Sequence, residues 1–217
     1  MATTYLQAVN SVLRRLRETE VATVSATNYS KLIGEFINDA KISVEAAYNW
    51  NALANTITLT TVGGTYNYTL TDSGMRFKVQ DVWNDTKDSR LRLAPATWMN
   101  QQLIITSPQQ GSPAYYNFKG QDANGDTQVN LFPVPDGVYS IKFNVFLPQP
   151  VLSSDATVIK VPADVVIQNA YARALVERGE DNGLASSEAY ALAKTLMADY
   201  IALESNRYLE DTNWVPN

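Results

Sequence analysis

Apolar positions recur at helical spacing near both ends of the chain and at strand spacing through its middle. Thr4 and Gln7 stand at capping-box spacing, which satisfies free backbone donors at a helix start. Leu6, Val9, Leu13 and Leu16 then follow at three- and four-residue steps, predicting a first amphipathic helix. Leu32, Ile33, Phe36, Ile37, Ala40, Val44 and Ala47 keep the same period and predict a second helix over 28–48. Helical texture returns at Pro162, where proline suits a first turn, with Val166, Ala170, Arg173, Ala174 and Glu177 on successive turns up to Gly179. A last helix over 186–208 is predicted by Ala189, Leu192, Ala193, Leu196, Met197, Tyr200 and Leu203. Its many alanines favour close helix–helix approach.

Between these helices the period falls to two. Ile57 and Leu59 alternate with threonines, Gly63-Gly64 offers a tight turn, and Tyr66, Tyr68 and Leu70 alternate beyond it, which predicts a β-hairpin. Residues 77–83 read as a further strand, with 91–93 as its partner across a polar stretch. Residues 95–102 read as a short helix packing Trp98 and Met99. Residues 115–119 pair with 128–132, and Tyr139, Ile141, Phe143, Val145 and Leu147 form the clearest strand. Residues 158–161 read as an edge strand.

The fold class is therefore α+β. We expect a four-helix bundle built from the N- and C-terminal helix pairs, with an inserted antiparallel β-sandwich or barrel-like domain and an extended C-terminal arm. The expected divisions are 1–54 and 162–208 for the two halves of the helical domain, 55–161 for the β-rich insert and 209–217 for the arm. Bundle packing falls to Leu13, Leu16, Phe36, Ile37, Ala170, Ala174, Leu192, Leu196 and Tyr200. The arm holds one aromatic anchor, Trp214, followed by Val215 and Pro216.

Composition changes this picture mainly by exclusion. The chain has neither cysteine nor histidine, which removes disulfides, thiolate nucleophiles, Cys/His zinc sites and imidazole proton transfer. No apolar run approaches the ~20 residues that span a bilayer, and the N-terminus lacks the order of a secretion signal, so no membrane association or export is expected. The net charge is −5, and residues 162–217 carry all of it. No basic face for sequence-specific nucleic-acid binding is visible.

Candidate chemistry is sparse. Asp122, Asn124 and Asp126 imitate the start of a calcium loop. The glycine comes too early, however, and Pro133 stands where the bidentate glutamate belongs, so Asn124-Gly125 reads as a hairpin turn. No glycine-rich phosphate cradle is present. No catalytic, metal-binding or cofactor-binding residue is assigned, and no cofactor is expected. The competing binding reading is a tail-associated or carbohydrate-binding β-sandwich module using Tyr66, Tyr68, Tyr115 and Tyr116. Strand aromatics, however, are usually core or cross-strand pairs.

Three stretches carry a family resemblance. Tyr5-Leu6-Gln7-Ala8-Val9-Asn10 leads into Leu13-Arg14-Arg15-Leu16-Arg17, and Phe36-Ile37-Asn38-Asp39-Ala40-Lys41 leads to Trp50-Asn51-Ala52-Leu53. Downstream, Val161-Pro162-Ala163-Asp164-Val165-Val166 precedes Ala174-Leu175-Val176-Glu177-Arg178-Gly179-Glu180-Asp181. In order and texture the chain resembles the bacteriophage head-to-tail adaptor proteins, the group that includes tail tubular protein A. The resemblance implies a structural virion protein made in the host cytoplasm. It implies a dodecameric ring of identical subunits at the head–tail junction, between the portal protein and the tail tube or nozzle protein. That ring would form part of the DNA channel and let double-stranded DNA pass without sequence-specific contact. The isolated aromatic tail after an acidic helix adds a further expectation, that Tyr208, Trp214, Val215 and Pro216 form an arm that docks on the portal.

Overall fold

The computed structural model describes residues 2–105, 107–179 and 184–207, and these divide into two compact units. One is helical and combines residues up to Ala52 with those from Gln149 onward; the other, Leu53–Pro148, is mainly β.

The helical unit contains α1 (Tyr5–Arg15) and α2 (Asn28–Ala47). Thr4 caps α1 as expected, accepting from the Gln7 amide while the Gln7 side chain accepts from the Thr4 amide. A second capping box, Thr27 with Ser30, starts α2. The buried face of α1 is broader than the predicted stripe: Tyr5, Ala8 and Val12 join Val9, Leu13 and Leu16, while Leu6 is only half-buried. In the C-terminal half lie α4 (Ala163–Arg178), closed by Gly179 in the left-handed region, and α5 (Leu184–Ser205).

Helix α4 is apolar on several sides and buries Val165, Val166, Ile167, Ala170, Ala172 and Ala174. It packs on α1, α2 and α5, and α1 also packs on α2, whereas α5 packs chiefly on α4. These contacts describe a three-helix core with α5 laid along α4, rather than a bundle in which every helix has two neighbours. Small residues explain the asymmetry, because Ala189 and Ala193 turn to α4 and allow close approach. Leu192, expected in the packing, is exposed instead. Leu13, Leu16, Ile37, Ala170 and Ala174 are buried, and Phe36, Leu196 and Tyr200 are half-buried.

A buried ion pair ties the helices to the segment that re-enters this unit after the β unit. Lys41 and Glu45, one turn apart on α2, each expose 1% of their side chains and meet at 3.2 Å. The Lys41 Nζ also donates to the carbonyls of Gln149, at 2.5 Å, and Pro150, at 3.2 Å, while Glu45 Oε1 accepts from the Gln149 amide. Asn38 continues the seam by donating to the Leu152 carbonyl and accepting from the Leu152 amide. Burial of two charges is tolerated here because backbone groups fill the remaining valences. The same segment then runs to α1, where the amides of Tyr5 and Leu6 donate to Thr157 and Asp155. Val158, expected to join the β-sheet, instead bridges Thr4.

The β unit holds two four-stranded sheets. One has the order β1 (Ala54–Thr60), β8 (Ser140–Phe146), β3 (Lys78–Asn84), β4 (Ser89–Arg90). The other has the order β2 (Asn67–Thr69), β7 (Thr127–Phe132), β6 (Tyr115–Gln121), β5 (Arg92–Leu93). Their inner faces share one core, with Leu59, Val82, Ile141 and Phe143 from the first sheet and Tyr116, Val129 and Leu131 from the second. A short helix, α3 (Ala96–Ile104), buries Met99 and sets Trp98 edge-on to Phe132. The described residues form no closed barrel.

The predicted hairpin about Gly63-Gly64 does not form. β1 pairs with β8, eighty residues downstream, and β2 pairs with β7, so the glycines carry the chain from one sheet to the other. Likewise 91–93 is not one partner strand: β4 closes on β3, whereas β5 crosses to run parallel to β6. That parallel pair also departs from the expected all-antiparallel pattern. The expected pairing of 115–119 with 128–132 does form, as β6 with β7. Alternation itself reports only which face of a strand is buried, so the long-range pairings came from the packed structure.

Two outcomes follow for stability. Lys41→Ala leaves a buried carboxylate without its cation and costs about 3–5 kcal/mol in urea unfolding. Lys41→Met combined with Glu45→Leu removes both charges but still leaves the Gln149 amide and the Gln149 and Pro150 carbonyls without these partners, so it recovers only part of the loss. Gly34 sits where an added Cβ would strike the Tyr5 hydroxyl and approach Val24 Cγ1 at 2.9 Å. Gly34→Ala therefore destabilises by about 1–3 kcal/mol, and Tyr5→Phe in the same chain lessens the defect because it removes the clashing oxygen.

Candidate functional site

Among the described residues no group of metal-ligating side chains gathers, and several large apolar side chains stand exposed. In the β unit, the loops 61–66 and 133–139 form one tip. The Thr61 amide donates to the Tyr139 carbonyl, Thr61 Oγ1 to Gly137 O, and the Gly64 amide to Pro135 O. The Tyr68 hydroxyl lies 3.0 Å from both the amide and the carbonyl oxygen of Val62, and 2.8 Å from Thr65 O. Tyr139 donates to Asp136, and this bond, with partial desolvation, raises its pKa above the ordinary tyrosine value. Held by these bonds, Val62 and Val138 remain 60% and 70% exposed. Gly63 approaches the Asp136 carbonyl closely, with an added Cβ meeting it at 3.2 Å, so the two loops seat against each other.

In the helical unit, α5 turns Leu192 and Leu203 outward, with Leu184 at its start. A second exposed apolar pair, Val151 and Val158, lies on the return segment beside α1 and α2. An apolar helix with one packed side has a second side that water wets unfavourably.

A groove of about 550 Å³ opens beside the end of α5, lined by Trp50, Ile159, Val161, Leu203, Lys160 and Arg207 among others. Its acidic groups are already matched. Tyr200 donates to Asp164 at 2.9 Å, which raises the tyrosine pKa, and Glu204 accepts from the Asn51 amide at 2.8 Å and from Arg207 at 3.2 Å. These contacts hold the helix ends together and leave no carboxylate poised for proton transfer. Among the described residues, no group of three or more His, Cys, Asp or Glu could hold a metal ion, and no helix is long and apolar enough to cross a membrane. Asp122 accepts from the Asn124 and Asp126 amides, and Gly125 has φ 85°, so the calcium-like stretch is a turn.

The aromatics of the carbohydrate-binding reading do not assemble into a platform. Tyr116 is buried, Tyr68 closes the tip loop, Tyr115 packs against Trp98, and of the four only Tyr66 is exposed. The arm residues Tyr208, Trp214, Val215 and Pro216 lie outside the described residues. Sequence reasoning missed Val62 and Val138 as surface features. The available signal was a valine set directly against a glycine turn, Val62 before Gly63-Gly64 and Val138 after Gly137.

No curated protein matches the chain. The family model described as SU10 adaptor protein matches residues 3–216. That span covers both units, so the helical frame and the β unit are described by one model rather than as separate modules. The chain belongs to the SU10 adaptor protein family, a family of phage head-to-tail adaptors, and its role is that of a phage structural adaptor.

Proposed function

We propose that this protein forms a closed ring of identical copies, twelve by its resemblance to the family, between the portal and the tail tube or nozzle of a virion. In that position it lines part of the DNA channel and acts structurally rather than catalytically. The family match over 3–216 is the observation that carries this reading. The surface pattern supports it. A closed cyclic ring is heterologous and needs two different faces on each copy. The helical unit exposes two separate apolar sets, Leu192 with Leu203 on α5 and Val151 with Val158 on the return segment. The β-unit tip at Val62 and Val138 is a third, pre-organised surface for the tail-side partner. The acid excess of residues 162–217 suits a wall past which DNA slides, because it offers few cations to hold phosphates. The terminal arm, 209–217, docks on the portal through Trp214.

Leu192→Asp with Leu203→Asp costs about 1–2 kcal/mol in helix propensity and lost partial burial, leaves the circular dichroism spectrum unchanged, yet prevents ring completion on portal-bearing heads, as measured by co-sedimentation. Normal ring addition by this variant refutes a role for α5 between copies. Removing residues 209–217 abolishes attachment to the same heads; undiminished attachment assigns portal docking elsewhere. Val62→Asp with Val138→Asp leaves attachment to heads intact and blocks subsequent tail addition.

A further inference from the structure

The two sheets of the β unit have four edges, and three of them are short: β4 and β5 have two residues each and β2 has three. The fourth, β1, is seven residues long. Natural sheets blunt their edges with short strands, charges, prolines or bulges, because an open edge templates pairing with another chain. β1 has none of these. Its sequence, Ala54-Asn55-Thr56-Ile57-Thr58-Leu59-Thr60, has no charge and no proline, and its register with β8 runs unbroken from Ala54 to Thr60. The bulges of this unit lie instead between β3 and β8 and between β6 and β7.

The register also fixes which backbone groups are open. The Thr61 amide bonds Tyr139 and the Leu147 amide bonds Leu53, so the odd-numbered residues of β1 face β8. The amides and carbonyls of residues 54, 56, 58 and 60 point the other way. Among the described residues the Thr56 amide has only the side chain of its neighbour Asn55, at 2.8 Å. Ala54, Thr56, Thr58 and Thr60 are exposed, and Ile57, on the core-facing side, is only half-buried.

We propose that β1 is a pairing edge for a second copy of this chain, joined antiparallel about a two-fold axis at Ile57. The strand is self-complementary in that register. Thr56 faces the second copy's Thr58 and Ala54 faces its Thr60, as hydrogen-bonded pairs that together exchange up to about eight bonds. Ile57 meets Ile57 of the second copy at a non-hydrogen-bonded position, which covers its exposed part, and Asn55 releases the Thr56 amide to the new strand. Because the strand is neutral, no like charges are opposed across the axis. A strand edge about 24 Å long and roughly 10 Å wide covers on the order of 240 Å², well short of the ~800 Å² per partner of a stable interface, so the pairing is weak and reversible. A two-fold contact cannot repeat around a single cyclic ring. The pairing therefore belongs to the free protein, where it shields an aggregation-prone edge, and it does not depend on the adaptor reading.

The test is sedimentation equilibrium of the full chain up to about 1 mM, where a concentration-dependent dimer is expected. Thr58→Pro removes only an outward amide, a position at which an edge strand tolerates proline, and weakens dimerisation at least tenfold with an unchanged circular dichroism spectrum. The chain has no native cysteine, so Ile57→Cys gives a clean second reading: mild oxidation links two copies across the axis. A chain that stays monomeric and whose Ile57→Cys form does not cross-link overturns the proposal. So does a dimer indifferent to Thr58→Pro, or protection of the Thr56, Thr58 and Thr60 amides that arises only with a different head or tail protein.

Discussion

A lysine and a glutamate buried together on α2 hold the helical unit in its arrangement. Most other core contacts there are apolar and non-directional, although Ser30, Trp50 and Gln168 add buried hydrogen bonds to backbone carbonyls. The Lys41–Glu45 pair is directional, because each charge must find partners in a place water cannot reach. Those partners are the backbone groups of Gln149 and Pro150. The segment returning from the β unit is thereby fixed on α2, and Asn38 extends the same seam to Leu152. Further along, residues 155–159 bond the start of α1, so the unit's two sequence-distant halves interlock through backbone before α4 packs against both helices.

The β unit follows a complementary logic. β8 is its central strand in one sheet, flanked by β1 and β3, and its alternating burial supplies Ile141, Phe143 and Val145 to the shared core. Loops at the tip are tied by backbone and hydroxyl hydrogen bonds, while their valines face solvent. Rigid support with apolar exposure suits a docking surface, since little conformational freedom is lost on contact.

Much of this was legible in the sequence. Both capping-box residues of α1, the period of α2, the turn at Asn124-Gly125, the left-handed Gly179 and the alternation of β8 each report a local rule with a local cause. Partnership was legible only across a short turn, where 115–119 pairs with 128–132 as expected; for the other strands the sequence did not supply it. The Gly63-Gly64 turn looked like a hairpin because its flanks alternate, yet β1 and β2 belong to different sheets. Leu192 looked like a packing residue because α5 is apolar nearly all round, and in such a helix periodicity cannot tell which side meets α4. The buried ion pair was not anticipated, since four-residue spacing of Lys41 and Glu45 does not distinguish a surface pair from a buried one.

The central claim, a ring at the head–tail junction, is tested most directly by cryo-EM reconstruction of that junction in the virion encoding this chain. The account predicts a closed ring of identical copies between portal and tail, with α5 in the contact between neighbours and DNA passing through the centre. Density for this chain at the tail tip, or at the junction as an open or asymmetric assembly in which α5 faces solvent, would contradict it.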